Sequence, residues 1–158
     1  MKALAALCLG LASTAVHPSV TVSFTEPEHY SDPGTRWGEN IDTFGEITRH
    51  FEKLAQRYVP QSQSLKVEIL DIDLAGRLRM GAPREFRVLT GKSDFPMIRL
   101  RYSLESQGTV IATGEETIAD MGYFSGSSPI ATRETLFYEK RMLEAWFRKR
   151  FDDRRAAK

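Results

Sequence analysis

Between Pro96 and Glu105 the chain alternates without a break. Ile98, Leu100, Tyr102 and Leu104 take one parity, and Arg99, Arg101, Ser103 and Glu105 take the other. Successive strand residues point to opposite faces, so this segment is a strand with one face buried and the other in water. A sheet of that kind is antiparallel and carries its cover on one side. Gln107-Gly108 then reads as a turn, and Val110 to about Ile118 as the partner strand of a hairpin.

The flanking segments supply the rest of such a layered fold. Val20 to Phe24 alternates and is a strand, and Glu26 to Asn40, with Pro27, Pro33, Gly34 and Gly38, is a loop. From about Ile41 to Tyr58, apolar residues at Ile41, Phe44, Ile47, Phe51, Leu54, Ala55 and Tyr58 recur at three and four, the stripe of a helix. Asn40 is its expected N-cap and Pro60 its stop. Leu65 to Leu74 is a strand whose phase changes midway: Leu65, Val67 and Ile69 share one face, Leu70, Ile72 and Leu74 the other. Either a bulge near Leu70 re-aims the strand, or its second half is covered on both faces; a bulge turns Asp71 and Asp73 out of the core and is preferred. Phe86 to Leu89 is a short strand, Asp120 to Pro129 a Gly/Ser-rich loop, and about Arg133 to Phe151 a final helix. The order β-α-β-β-β-β-α predicts an α+β fold, with a mostly antiparallel sheet of about four to five strands and both helices packed on one face. The first strand, helix and second strand can close as a right-handed crossover.

The N-terminus has a different character. Met1-Lys2 precedes an apolar run from Ala3 to Val16, with small residues Ser13 and Ala15 placed at −3 and −1 of a cut after Ala15. That anatomy is a cleavable signal peptide, and the run is short of the roughly 20 apolar residues of a membrane span. A lipoprotein reading of Cys8 is weak, because Ala6-Leu7 puts a large residue where a small one belongs. Residues 16–158 then remain as a single domain with an ordered core over about 20–151. The chain has 158 residues and one cysteine, so removing 15 leaves 143 residues and no thiol. Thiol catalysis, cysteine zinc sites and iron–sulfur clusters are excluded from such a product. Lys2 leaves as well, so 22 Lys+Arg become 21 against 21 Asp+Glu, and a neutral chain argues against a nucleic-acid partner. The basic residues at Arg148-Lys149-Arg150 and Arg154-Arg155 are interrupted by Asp152-Asp153 and read as a solvated helix end.

Chemistry-bearing candidates are few. On the final helix Leu136, Tyr138, Met142, Leu143, Ala145, Trp146, Phe147 and Phe151 cover more than half the circumference, with Glu139 and Arg150 inside that arc. Glu139 is either a buried, paired carboxylate, with Arg99 or Arg101 as the expected partner, or part of a face too wide for one sheet, of which some (Trp146 included) meets a protein partner. Pairing is the simpler reading. Asp71 and Asp73 share a strand face and could hold a hard cation, but Gly76-Arg77 follows rather than a calcium loop, and cross-strand pairing with arginines is favoured. His17, His29 and His50 have no ligand spacing, and His50 reads as a solvated helix residue. Ser125 lies in Tyr-Phe-Ser-Gly-Ser, which is no nucleophile elbow. Glu105, Glu115 and Glu116 suit the wet face of a strand.

Four blocks carry a family likeness: Val-Glu-Ile-Leu-Asp-Ile-Asp-Leu-Ala-Gly (67–76), Ile-Arg-Leu-Arg-Tyr-Ser-Leu-Glu (98–105), Gly-Glu-Glu-Thr-Ile-Ala-Asp-Met-Gly-Tyr (114–123) and Tyr-Glu-Lys-Arg-Met-Leu-Glu-Ala-Trp-Phe (138–147). In this order they resemble a bacterial family catalogued as domain of unknown function 3016, over about Val20 to Phe151. The resemblance implies an exported or periplasmic protein of Gram-negative bacteria and brings no catalytic residues with it. Together these readings lead to a non-enzymatic envelope domain that binds a protein or envelope component, without cofactor or metal. A small hydrolase or metal-dependent enzyme built on Asp71, Asp73, Glu115 or Asp120 is the rival, and a small-molecule carrier with a pocket between helices and sheet the third possibility.

Overall fold

The computed structural model describes residues 19–34, 41–81, 86–125 and 134–152. The signal segment with Cys8, the Asn40 cap and the Arg133 helix start fall outside them. The described chain runs β1 (Ser19–Phe24), α1 (Thr43–Tyr58), β2 (Gln63–Asp73), β3 (Arg77–Arg79), β4 (Phe86–Val88), β5 (Met97–Ser106), β6 (Thr109–Ala119) and α2 (Phe137–Phe147), with a wider π-type turn over Arg148–Asp152. A short 3-10 turn, Pro27–His29, follows β1.

Four strands form one sheet in the order β1-β2-β5-β6. The alternating segment, β5, sits inside it, antiparallel to β2 on one side and to β6 on the other. β1 lies parallel to β2, because α1 returns the chain to the same end before β2 starts. The fold is thus α+β, with a mostly antiparallel sheet. One strand differs from expectation. Phe86–Val88 leaves the main sheet and pairs with Arg77–Arg79 as a separate two-stranded ribbon. Three residues reading Arg-Leu-Arg are too short and too charged to announce a strand; Gly76, at φ +90, turns the chain into it.

The phase change in β2 is resolved by a bulge. The ladder passes from Ile69 opposite Leu100 to Asp71 opposite Arg99, leaving Leu70 as the extra residue. Ile72 therefore returns to the inner face opposite Ile98, and Ile69, Ile72, Ile98 and Leu100 are all fully buried. On β5 only the Ile98, Leu100, Tyr102 and Leu104 parity is buried, so both helices share that side.

α1 starts at Thr43, later than expected, and is capped by Asp42, whose Oδ1 accepts from Gly45 N at 3.0 Å. A Cβ at Gly45 would lie 2.1 Å from Asp42 Oδ2, so glycine there leaves room for the cap. The helix buries Ile47, Phe51, Leu54, Ala55 and Tyr58. Against them α2 sets Leu143, Trp146 and Phe147: Phe51 packs edge-on to Phe147 at 5.5 Å, and Trp146 edge-on to Tyr102 at 5.7 Å. Ion pairs join the two helices at the rim, Lys140–Glu46 at 2.8 Å and Arg57–Glu144 at 2.7 Å. Hydrogen bonds from Lys140 and then Arg49 hold the Glu46 carboxyl down at about 2. His50, expected in solvent, is half-buried: its Nε2 lies 2.9 Å from the Lys140 carbonyl, and burial lowers its pKa.

On β6, Gly114 lies under the Tyr102 ring, and a Cβ there would come within 2.7 Å of it. Valine is favoured in strands generally, yet Gly114→Val forces the ring aside, and overpacking of this kind costs about 1–3 kcal/mol. Urea unfolding of the variant is expected to show a lowered midpoint; an unchanged or raised one contradicts the packing described.

Candidate functional site

The outer, wet face of the sheet holds several of the sequence candidates. Arg101 donates to Glu68 at 2.7 Å and to Glu115 at 3.0 Å, and Arg99 stands 3.7 Å from Glu115. Asp71 is opposite Arg99 in the ladder, but its carboxylate accepts from Ser31 N at 2.7 Å and Ser31 Oγ at 2.8 Å. The arginine pairing expected for it is replaced by a loop-to-strand tie. Asp73 faces Met97, not an arginine. Burial pushes its carboxyl up, Arg77 opposes this, and Asp32 and Asp71 reinforce it. Asp120 is held by Arg141 at 2.9 Å. Of the carboxylates that the enzyme alternative needs, Asp71, Glu115 and Asp120 are thus individually tied, while Asp71 and Glu115 line one open hollow of about 370 Å³ with Arg99 and Arg101. Among the described residues, no group of three or more His, Cys, Asp or Glu is placed to hold a metal ion.

Glu139 is buried, at 3 % exposure, in the first turn of α2. Its partner is neither Arg99 nor Arg101, which point into water on the other side of the sheet. One oxygen accepts from Ala75 N at 2.7 Å, at the end of β2. Burial raises its pKa, while the Ala75 hydrogen bond and the nearby Arg87 pull it back. Arg87, on β4, grips Asp32 with two hydrogen bonds of 3.0 Å and reaches the Ala75 and Gly76 carbonyls at 3.4 Å. Asp32 in turn lengthens the edge of β2, donating its N–H to Ile72 O at 2.8 Å and accepting from Leu74 N at 3.1 Å. Glu139, Asp32 and Arg87 therefore knot the loop after β1, the end of β2, the ribbon and α2 together. Nothing in the spacing of positions 32, 87 and 139 signals this.

The apolar arc of α2 is closed within the chain. Leu136, Tyr138, Met142, Leu143, Trp146, Phe147 and Phe151 are each at most 9 % exposed, and Ala145 is the exposed member. The sheet takes part of the arc, α1 another part, and a second cluster around Tyr123 receives Tyr138. The expectation that the surplus width meets a partner thus finds its large side chains already covered. Aromatic rings also fill the middle of the space between helices and sheet, so room for a carrier pocket there is confined to the edge beside β6.

Open space lies instead along β6. That strand is the sheet's edge, with no neighbour beyond it among the described residues, and α2 with its π-type turn runs alongside. Between them is a groove of about 560 Å³. Ile118, Met142, Ala145 and Trp146 supply its apolar lining, and Arg141, Lys149 and Arg150 its cations. Both acids in the groove are engaged. Glu116 accepts from Trp146 Nε1 at 3.0 Å and meets Arg150 Nη2 at 2.5 Å; Asp120 accepts from Arg141, which also donates to Tyr123 O. Trp146 was legible as a candidate from its place in the arc. The edge position of β6 was not, because strand order is invisible in alternation.

A small α+β domain, with a one-sided sheet backed by two helices and an open groove at its edge strand, is the class these features define. The chain belongs to the family described as "Protein of unknown function (DUF3016)", whose model matches residues 18–149. No curated protein and no solved structure matches it.

The raised pKa of Glu139 has a definite sign in stability. The fold binds the proton more tightly than the unfolded chain, so this group's contribution falls as pH rises from about the ordinary carboxyl value, 4.5, through the higher folded value. Glu139→Gln keeps an oxygen for Ala75 N and loses the charge. Its melting temperature is expected to gain on the wild type as pH rises above about 4.5 and to level off once the folded-state carboxyl has ionised; a difference that is the same below pH 4.5 as at neutral pH contradicts this.

Proposed function

We propose that the chain is a non-enzymatic binding domain of the Gram-negative envelope. In this reading it is exported by residues 1–15 and engages an extended segment of a protein partner along the β6–α2 groove. The carrying observation is the edge of β6, unpaired among the described residues, beside an apolar-lined channel. An edge strand presents a row of unpaired N–H and C=O groups, to which an extended segment can add as another strand while pockets read alternate side chains. Exposed apolar residues flank the groove along the same strand. Of the five large exposed ones among the described residues, Val110 (53 %) and Ile111 (49 %) lie at one end of β6 and Met121 (74 %) just past the other. Export is supported by the anatomy of residues 1–15 and the family likeness. Among the described residues, no helix is long and apolar enough to cross a membrane. The enzyme alternative draws less support: burial pushes the Asp73 carboxyl up, but Asp71, Glu115 and Asp120 are occupied by Ser31, Arg99 with Arg101, and Arg141.

The full-length chain expressed in a Gram-negative host is expected to yield a periplasmic product starting at Val16 by intact mass; one retaining Met1 rules out the export part. A photo-crosslinking residue at Ala145 or Lys149, both exposed in the groove, is expected to give a discrete protein adduct, while one at Ser103 on the outer face of β5 gives none. Equal labelling at all three positions, or none at any, overturns the binding reading.

A further inference from the structure

Resting on that reading of the groove, we infer that the segment it takes is acidic: an extended peptide with an apolar side chain on the Ala145 floor and a carboxylate, two residues away, at Lys149 and Arg150. Charge is the first reason. Three cations line the groove against two acids, and both acids are already matched, Glu116 by Trp146 and Arg150, Asp120 by Arg141. Lys149 is exposed and has no ion-pair partner among the described residues.

Arg150 supplies the second reason. Its guanidinium lies over the Tyr102 ring, 5.9 Å from the centroid, and its Nη2 meets Glu116. Its Nε is buried and has no hydrogen-bond partner among the described residues. That Nε is shielded from an incoming group, but about a third of the side chain (34 %) remains exposed, and a second anion meeting the guanidinium there makes a strong charge-assisted hydrogen bond. Arg141 is a poorer candidate, since Asp120, the Tyr123 carbonyl and two aromatic rings already surround it.

Spacing is the third reason. Ala145 in the last turn of α2 and Lys149 in the π-type turn that follows lie about one helical turn apart along the groove, roughly 5 Å. Side chains at i and i+2 of a strand lie on one face about 6.6–6.8 Å apart. A peptide paired with β6 therefore sets alternate side chains against these two positions in turn. Ala145 is small enough to leave the floor between Ile118, Met142 and Trp146 open to the apolar one.

The test uses the periplasmic product of the full-length chain and a random octapeptide library displayed on phage. Selected sequences are expected to share Asp or Glu two positions from an apolar residue. In a blocked synthetic octapeptide of a selected sequence, replacing the acid by its amide is expected to weaken binding about tenfold, as loss of a hydrogen bond to a charged group does. Lys149→Glu is expected to weaken the acidic peptide similarly and to strengthen a lysine-bearing counterpart. Ala145→Trp fills the floor from an exposed helix position, and is expected to abolish peptide binding with the melting temperature unchanged. Recovery of peptides that Ala145→Trp blocks but that show no acid preference overturns this inference and leaves the groove reading standing. Recovery of no peptide beyond the Ala145→Trp control overturns both.

Discussion

The extra residue at Leu70 is the constraint on which the described fold rests. A strand shows alternate side chains to alternate faces, so a continuous β2 would send either Leu65, Val67 and Ile69 or Ile72 and Leu74 into water. The bulge lets all five be buried beneath one cover. Because that cover lies on one side, both helices must share it, and their contact follows. The same half-step presents Asp71 to Ser31 and brings the end of β2 to where Ala75 N meets Glu139. Two layers, their relative placement and the buried carboxylate between them therefore trace back to one unpaired residue.

Polar groups divide according to what they tie. On the outer face Glu68, Arg101, Glu115 and Arg99 form a chain of exposed ion pairs, and such pairs contribute little each. Inside, charges are few and individually fastened. Asp94 shows the principle in the loop ahead of β5. Burial would push its carboxyl up, yet hydrogen bonds from Thr90, Lys92 and Tyr123 hold it down at about 2. Glu139 goes the other way, because one backbone donor and a guanidinium engaged with Asp32 do not make up for what burial takes from it.

Much of the fold was legible in sequence because it rests on local periodicity. The β5 alternation, the α1 stripe, the phase change at Leu70 and the Gln107-Gly108 turn each announce themselves within a few residues. What was not legible depends on distant pairing. The Arg77–Arg79 strand exists only because Phe86–Val88 comes back to it, and α1 takes Asp42 as its cap where Asn40 was expected. Glu139 was rightly singled out as a charge inside an apolar arc, but its partner was sought on the strand with the most arginines. The wet parity of β5 places Arg99 and Arg101 on the far face, whereas a backbone N–H at position 75 leaves no mark in a sequence. The arc itself looked too wide because a helix wheel counts one neighbour, while α2 has three: the sheet, α1 and the Tyr123 cluster.

The late position of α2 in the chain bears on when the molecule can fold. Its partners include Glu46, Arg57, Ala75 and Tyr102, ties that span a long stretch of chain, beside nearer ones to Glu116, Asp120 and Tyr123. Until the last helix is present, the inner face of the sheet and one flank of α1 stay uncovered, and the earlier elements have only partial reason to hold together. Folds dominated by such distant contacts form slowly. The chain thus becomes compact only when α2 docks, and the sheet with α1 is the part that waits for it.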